Sequence, residues 1–307
     1  MRILITGGGG MVGSNLREHA AAQSHELLFP TRQELNLFSY EQTEKFIREV
    51  QPDLIIHAAG RVGGIQANMR EPVRFLTENL DMGRNVILAA RAAGVKRLIN
   101  IGSSCMYPRN LDVPLSENMI LTGELEPTNE GYALAKITVA RLCEYITREN
   151  PEYQYKTVIP CNLYGRHDKF DPRWSHLIPA ILHKVHEAKQ SNQATVEIWG
   201  DGTARREFMY SGDLADALFH AADNFETLPG MVNIGLGTDY SVNEYYAIAA
   251  EVVGYEGEFV HDLSKPVGMK RKLTSIVLAN TWGWSAKTSL REGLALTYEF
   301  YLKTEKK

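Results

Sequence analysis

Cysteine is scarce in this sequence. The 307 residues include three, Cys105, Cys143 and Cys161, an odd number at wide spacing. That excludes a disulfide framework and a zinc ribbon. No run of about 18 apolar residues occurs, so no segment is long enough to cross a bilayer as a helix. Neither sign of charge dominates: 33 Lys and Arg against 37 Asp and Glu give a formal net charge of −4. A nucleic-acid groove or a polybasic membrane face is therefore not expected. Internal repeats and low-complexity linkers are missing too. Hydrophobic residues make up 44% and charged residues 23%, which excludes disorder, collagen and coiled coil as whole-chain descriptions. The N-terminus starts a strand at once, without the layout of a signal peptide. The expectation is a reduced, cytoplasmic protein of one large or two modest domains.

What is present is an alternation of strand-like and helix-like segments. Residues 2–6, 26–29, 54–57, 97–101 and 156–160 read as buried strands. Residues 12–23, 40–50, 72–93 and 131–148 read as helices, with Ser39 and Gln42 as a capping box and Gly94 as a stop. This rhythm predicts right-handed crossovers and a doubly wound parallel sheet of Rossmann type over residues 1–162. After Leu163 the pattern becomes irregular. A polar, aromatic loop covers 164–175. Helices are predicted at 176–190, 211–224, 241–253 and 288–302, and short strands at 196–199, 206–209 and 258–261. Residues 163–307 are expected to form mostly a smaller α/β substrate-binding lobe, with segments near 210–235 returning to the first domain. Residues 106–131 are a long connection containing Pro and Gly, and that length predicts a functional lid.

The first strand runs directly into Thr6-Gly7-Gly8-Gly9-Gly10-Met11-Val12-Gly13 and then a helix. Gly7, Gly10 and Gly13 follow G-x-x-G-x-x-G spacing. Glycine permits the tight turn, the approach of a pyrophosphate to the backbone and close helix–strand packing. The helix N-terminus, starting at Met11 and Val12, offers N–H groups to phosphates. A glycine run alone is also a flexible turn, but here it sits inside a βαβ pattern. Many such sites that bind NAD carry an acid at the end of the second strand. Here that end reads Phe29-Pro30-Thr31-Arg32. A guanidinium favours a 2′-phosphate, so the expected cofactor is NADP.

Tyr132 and Lys136 stand four apart, on one helical face. An ammonium beside a phenol favours the phenolate and is expected to lower its pKa. Ser103 follows the strand 97–101, at the carboxyl edge where open α/β sheets bind ligands. Tyr and Ser together can hydrogen-bond a carbonyl oxygen that becomes an alcohol. With the glycine loop, these residues make the chain resemble the extended short-chain dehydrogenase/reductase family. The resemblance implies a Rossmann domain, Tyr132 as general acid, and Lys136 and Ser103 as its partners. A non-catalytic NADP-binding regulator is the alternative class. Such relatives tend to lose the Tyr or the Lys.

Further runs narrow the resemblance. They are residues 31–37 (TRQELNL), 62–68 (VGGIQAN), 102–108 (GSSCMYP), 126–130 (EPTNE), 162–165 (NLYG), 175–179 (SHLIP) and 206–208 (REF). Together they are similar to the branch that epimerises and reduces GDP-4-keto-deoxy sugars. That similarity implies conversion of GDP-4-keto-6-deoxy-D-mannose to GDP-L-fucose, with inversion at C3 and C5 and hydride reduction at C4. The alternative is the GDP-L-colitose route, with a 3-deoxy substrate and inversion at C5 alone. A C4 ketone acidifies its neighbouring C–H bonds, and inversion needs a base on one face of the ring and an acid on the other. By resemblance Cys105 is the base and His176 the acid. Unperturbed thiol and imidazole pKa values of about 8.5 and 6.5 suit reversible proton transfer. A free cysteine is also a common small core residue, and Cys143 and Cys161 are read that way. By resemblance, Pro160, Asn162, Leu163, Lys136 and His176 join the cofactor site, and Lys184, Trp199 and Arg206 bind the nucleotide diphosphate. Lys272, in the basic run 270–272, is a further candidate there. A homodimer through Rossmann helices is implied as well. Two positions depart from the family pattern: Gly9, where an arginine is common, and Val267, where an acid is common. His176, His183 and His186 could share a helix side, but no matching carboxylates accompany them and no metal is expected. His57 is read as a wall of the cofactor groove. Replacing Arg32 by Ala is expected to raise the KM for NADPH far more than that for NADH, in steady-state assays with either cofactor. An equal change in both would remove Arg32 from the 2′-phosphate site.

Overall fold

The computed structural model describes residues 1–171, 175–265 and 269–304. The departure at Val267 lies outside the described residues. The first half contains β1 (Arg2–Thr6), α1 (Met11–Glu18), β2 (Glu26–Leu28), α2 (Tyr40–Val50), β3 (Leu54–His57), α3 (Ile65–Arg70), α4 (Pro72–Ala92), β4 (Arg97–Ile101), α5 (Glu130–Glu149) and β5 (Gln154–Pro160). It is followed by β6 (Asn162–Tyr164), α6 (Leu177–Gln190), β7 (Thr195–Trp199), β8 (Arg205–Arg206), β9 (Phe208–Tyr210), α7 (Ser211–Asp223) and β10 (Met231–Ile234). The remainder is β11 (Tyr240–Ser241), α8 (Val242–Val253), β12 (Glu258–Asp262), β13 (Arg271–Lys272), α9 (Val277–Trp282) and α10 (Leu290–Thr304).

The central sheet has six parallel strands in the order β10-β5-β4-β3-β1-β2. Successive side chains of a strand face opposite sides. Ile3 and Ile5 accordingly pack with Leu16, Leu214 and Leu218 of α1 and α7. Leu4 packs with Val86, Ile87 and Val139 of α4 and α5 on the other side. Burial on both faces is why β1, β3 and β4 read as unbroken apolar runs rather than alternating ones. The expected Rossmann sheet is present. A second apolar cluster joins α6, α8 and α10 with β7 and β9 through Ile181, Leu182, Phe208, Tyr245, Ala249 and Leu294. Small strand pairs edge this part: β12 with β7, β6 with β9, and β8 between β11 and β13. Among the described residues no helix is long and apolar enough to cross a membrane.

Three segments differ from the reading of the sequence. The expected helix 12–23 stops at Glu18, because His19 turns extended and its Nδ1 accepts from Ala21 N at 3.2 Å, capping a short turn instead. The expected strand 206–209 is broken at Glu207, whose side chain is drawn into the core. The expected lid, 106–131, is a strap. Leu115 N donates to Leu273 O at 2.9 Å and Ser275 N to Leu115 O at 2.9 Å. Asn233 on β10 holds it further: Nδ2 donates to Leu115 O at 2.9 Å, N donates to Glu117 Oε1 at 2.8 Å, and Oδ1 accepts from Tyr107 at 2.6 Å.

The crossing of α4 and α5 depends on one glycine. A Cβ at Gly83 would lie 2.5 Å from Val139 Cγ2. A helical valine has essentially one χ1 rotamer, so the helices themselves must part. Gly83→Val is therefore expected to destabilise the fold by about 1–3 kcal/mol, read as a lower midpoint in urea unfolding. An unchanged midpoint would mean that α4 and α5 separate freely.

Candidate active site

The glycine loop leaves β1 and enters α1 with Gly10 N donating to Gly7 O at 3.0 Å. Gly7 adopts a φ of +76°, and a Cβ there would lie 2.7 Å from the backbone of Ala59. A Cβ at Gly13 would lie 2.5 Å from Gly8 Cα. Both positions therefore require glycine. Among the described residues no side chain caps α1 at Gly10, so the amides of Met11, Val12 and Gly13 are left to an anion. The cradle fits a pyrophosphate. Gly9 differs: a Cβ there meets nothing within 4 Å, so this departure from the family pattern is not a steric requirement. Beneath the loop, Thr6 Oγ1 and His57 Nδ1 are 2.8 Å apart, and Thr6 Oγ1 also accepts from Ala59 N at 3.3 Å. Burial and then the Lys136 charge push His57 down to about 3, so it is a neutral supporting residue. At the end of β2, Thr31 N donates to Glu34 Oε2 at 2.7 Å. The nearby acid is thus engaged in its own turn, while Arg32 is exposed.

Ser103, Tyr132 and Lys136 gather at the carboxyl edge of β4. The Lys136 ammonium donates to Ile101 O at 2.8 Å and lies 5.9 Å from the Tyr132 ring centroid. The expected acidification of the phenol is not what this arrangement gives. Burial raises the Tyr132 pKa, the Cys105 sulfur adds to this, and the Ser103 hydroxyl opposes it. The phenol keeps its proton at neutral pH and is a proton donor. Burial brings Lys136 down to about 8. Phe75 meets the Tyr132 ring edge-on, centroids 6.4 Å apart, and Arg61 stacks on Phe75 at 5.3 Å. Arg61 is itself tied to Glu71 and Glu78.

Cys105 sits in a short turn after β4, with its N donating to Ser103 Oγ at 3.2 Å. Asn129 Nδ2 is 3.1 Å from its sulfur, and Lys272 Nζ is 3.8 Å away. His176 immediately precedes α6. Burial, then Lys169, lowers its pKa and keeps the imidazole neutral. Residues 60–64 pass close to both Lys136 and the His176 segment: a Cβ at Gly60 would be 3.8 Å from Lys136 Nζ, and one at Gly64 would be 2.9 Å from Ser175 O. Asn68 Nδ2 fixes that loop by donating to the carbonyls of Gly63 and Gly64 at 2.9 and 3.1 Å.

The other expected residues fall in three places. Pro160 pairs with Ile234 at the end of β5, Leu163 pairs with Met209, and Asn162 Nδ2 donates to Glu207 O at 3.2 Å. Lys184 and Trp199 meet on Glu197: Lys184 Nζ donates to its carbonyl and Trp199 Nε1 to its carboxylate at 3.1 Å. Arg206 and Lys272 are registered partners on the β8–β13 ladder. Cys143 and Cys161 are buried, and burial raises both thiol pKa values. His183 and His186 bond Tyr301 and Tyr298, each at 2.9 Å. Among the described residues no cluster of three or more His, Cys, Asp and Glu could hold a metal. Sequence reasoning gave no role to Asn129, Arg61 or Phe75. The run 126–130 was the only signal for Asn129, and nothing local pointed to the other two.

Comparison with known proteins agrees with this geometry. Residues 3–235 match the model of the NAD dependent epimerase/dehydratase family. The chain is 53% identical over 302 residues to a GDP-L-colitose synthase of Yersinia pseudotuberculosis, covering 98% of each chain. It is 49% identical over 301 residues to a GDP-L-fucose synthase of Azorhizobium caulinodans, covering 98% of this chain and 96% of that one. Its fold superposes on a GDP-D-glycero-L-gluco-heptose synthase from Campylobacter jejuni, solved in the presence of NADPH, with a TM-score of 0.90 and 32% identity over 98% of both chains. The glycine cradle, the Ser–Tyr–Lys group and the matches over nearly the whole length agree, and the chain belongs to the NAD dependent epimerase/dehydratase family.

Proposed function

We propose that this protein is an NADPH-dependent epimerase–reductase of GDP-4-keto-deoxy sugars. The observation that carries the reading is a thiol set beside the reductive group, with Cys105 N donating to Ser103 Oγ at 3.2 Å. A simple ketone reductase needs only Ser103, Tyr132 and Lys136. Here Cys105 lies two residues beyond Ser103 with its sulfur held by Asn129, and His176 comes from the second half of the chain. NADPH, when bound, supplies the hydride for C4. The glycine loop and α1 would hold its pyrophosphate and Arg32 its 2′-phosphate, and Lys136, Pro160, Asn162, Leu163 and His176 would complete its site. Tyr132 donates its proton to the C4 oxygen and Ser103 hydrogen-bonds that oxygen. Cys105 removes a proton next to the ketone, and His176 returns one from the opposite face. The substrate's diphosphate charges act on His176 in the direction opposite to Lys169, favouring the imidazolium that an acid requires. Lys184, Trp199 and Arg206 hold the nucleotide diphosphate.

The substrate read from the motifs is GDP-4-keto-6-deoxy-D-mannose, inverted at C3 and C5 and reduced to GDP-L-fucose. A second reading, a 3-deoxy substrate inverted at C5 only and reduced to GDP-L-colitose, is favoured by the 53% identity to a colitose synthase against 49% to a fucose synthase. Residues 1–162 with segments near 210–235 serve the cofactor, and residues 163–307 mostly the substrate, in a cytoplasmic homodimer. Offering both ketones with NADPH and identifying products by NMR decides the substrate. Oxidation of NADPH with neither would refute the reading.

Two variants test the division of labour. Tyr132→Phe is expected to slow NADPH oxidation on the order of 10²-fold or more, the scale of a lost general acid. Entry of deuterium from D2O into the ring should survive; its loss would give Tyr132 a part in enolisation. Cys105→Ser should abolish deuterium entry while NADPH binding, followed by fluorescence, stays intact. Slow reduction of the unepimerised ketone then yields a D-sugar. An L-product at near-normal rate would remove Cys105 as the base.

A further inference from the structure

The basic run 270–272 suggested Lys272 as one more diphosphate ligand. Its surroundings support a different task, one that rests on the reading of Cys105 as the base. We propose that Lys272 is the electrostatic partner of the Cys105 sulfur, with Asn129 as the hydrogen-bond donor that orients it. Lys272 Nζ lies 3.8 Å from Sγ and Asn129 Nδ2 3.1 Å from it.

The backbone on both sides of Lys272 is fixed. Leu273 O accepts from Leu115 N at 2.9 Å. Thr274 is gripped through its N and its hydroxyl by buried Glu207, both at 2.7 Å. The neighbouring cations are otherwise engaged. Arg205 and Arg271 share the carboxylate of Asp239 at 2.6 and 2.5 Å, and Arg206 feels the charge of Glu126. Among the described residues no carboxylate pairs with Lys272, whose contact is the thiol. Asn129 Oδ1 is buried without a hydrogen-bond partner among the described residues, and its Nδ2 reaches the sulfur.

The chemistry calls for such a partner. The thiolate is the attacking form of cysteine, and a cation within about 4–6 Å favours it. In the epimerisation an S–H bond forms as a ring C–H bond breaks, and the electron pair moves onto the C4 oxygen. His176 then gives a proton to the ring carbon from the other face, and the electron pair returns from oxygen. Lys272 keeps its own proton throughout and acts on the sulfur, so it is a positioning residue for the base.

Alkylation by iodoacetamide tests the pairing without substrate. On the NADPH-loaded protein at pH 7, peptide mass spectrometry follows Cys105, since Cys143 and Cys161 are buried. Lys272→Met should slow modification of Cys105 severalfold, because the neighbouring cation that favours the thiolate is lost. Lys272→Arg should restore most of the rate. Unchanged NADPH affinity reports an intact fold, and Lys272→Gln replaces the Met variant if that affinity falls. Alkylation of Lys272→Met at the wild-type rate overturns the proposal, and a raised KM for the GDP-sugar alongside it returns Lys272 to the diphosphate. If neither ketone exchanges deuterium in the wild type but the alkylation pattern holds, the pairing stands and the epimerase reading fails.

Discussion

The buried carboxylate of Glu207 is the constraint on which the rest of the site depends. It is 2% exposed and accepts from Leu236 N at 2.7 Å, Gly237 N at 2.9 Å, and Thr274 N and Oγ1 at 2.7 Å each. Burial raises its pKa, and these donors act against that rise. The turn after β10 belongs to the central sheet, and Thr274 follows the strand that carries Lys272. Arg206 precedes Glu207 directly. One anion thus sets the height of two cations against the carboxyl edge of the sheet. Hydrogen bonds to a charged group are worth about 1.5–3 kcal/mol each, and a buried donor left unmatched is costly. The clamp therefore holds the β8–β13 ladder in one place rather than in a range of places.

Asn233 does the same for the segment that carries Cys105. Its side chain and backbone amide join Tyr107, Leu115, Ser275 and Glu117. A proton-transfer base gains from such fixation, because a misplacement of about 1 Å is enough to cost much of the rate. Under the role proposed for Cys105, proton abstraction falls to a turn tied down next to it at Tyr107.

The glycine loop and the Ser–Tyr–Lys set were legible because their logic is local. A strand end, a turn and a spacing of four residues are all visible in the chain. What the spacing concealed was the destination of Lys136. Its ammonium goes to the carbonyl of Ile101, 35 positions away, rather than to the phenol. The partners of Cys105 were illegible for a similar reason: Asn129 is 24 positions away and Lys272 is 167. The lid expected at 106–131 followed from length alone. Length does not report that Asn233, on a strand more than a hundred residues later, would tie the segment down. Short elements escaped as well. The six residues of α3 and the three of β6 are too few to display a period.

The sixth strand of the central sheet has a consequence for biogenesis. Strand β10 pairs with β5, yet some seventy residues, from β6 to the turn after α7, separate them in the chain. During synthesis the nascent sheet must wait with β5 as an open edge, the kind of surface that recruits foreign strands. That edge carries Lys156. In the finished fold its ammonium is buried and donates to Phe225 O and, at 2.8 Å, to Leu228 O, just beyond α7. Burial lowers its pKa there. One lysine thus ties the strand that β10 completes to the turn that leads into β10, so the last strand is delivered to an edge already anchored to its approach.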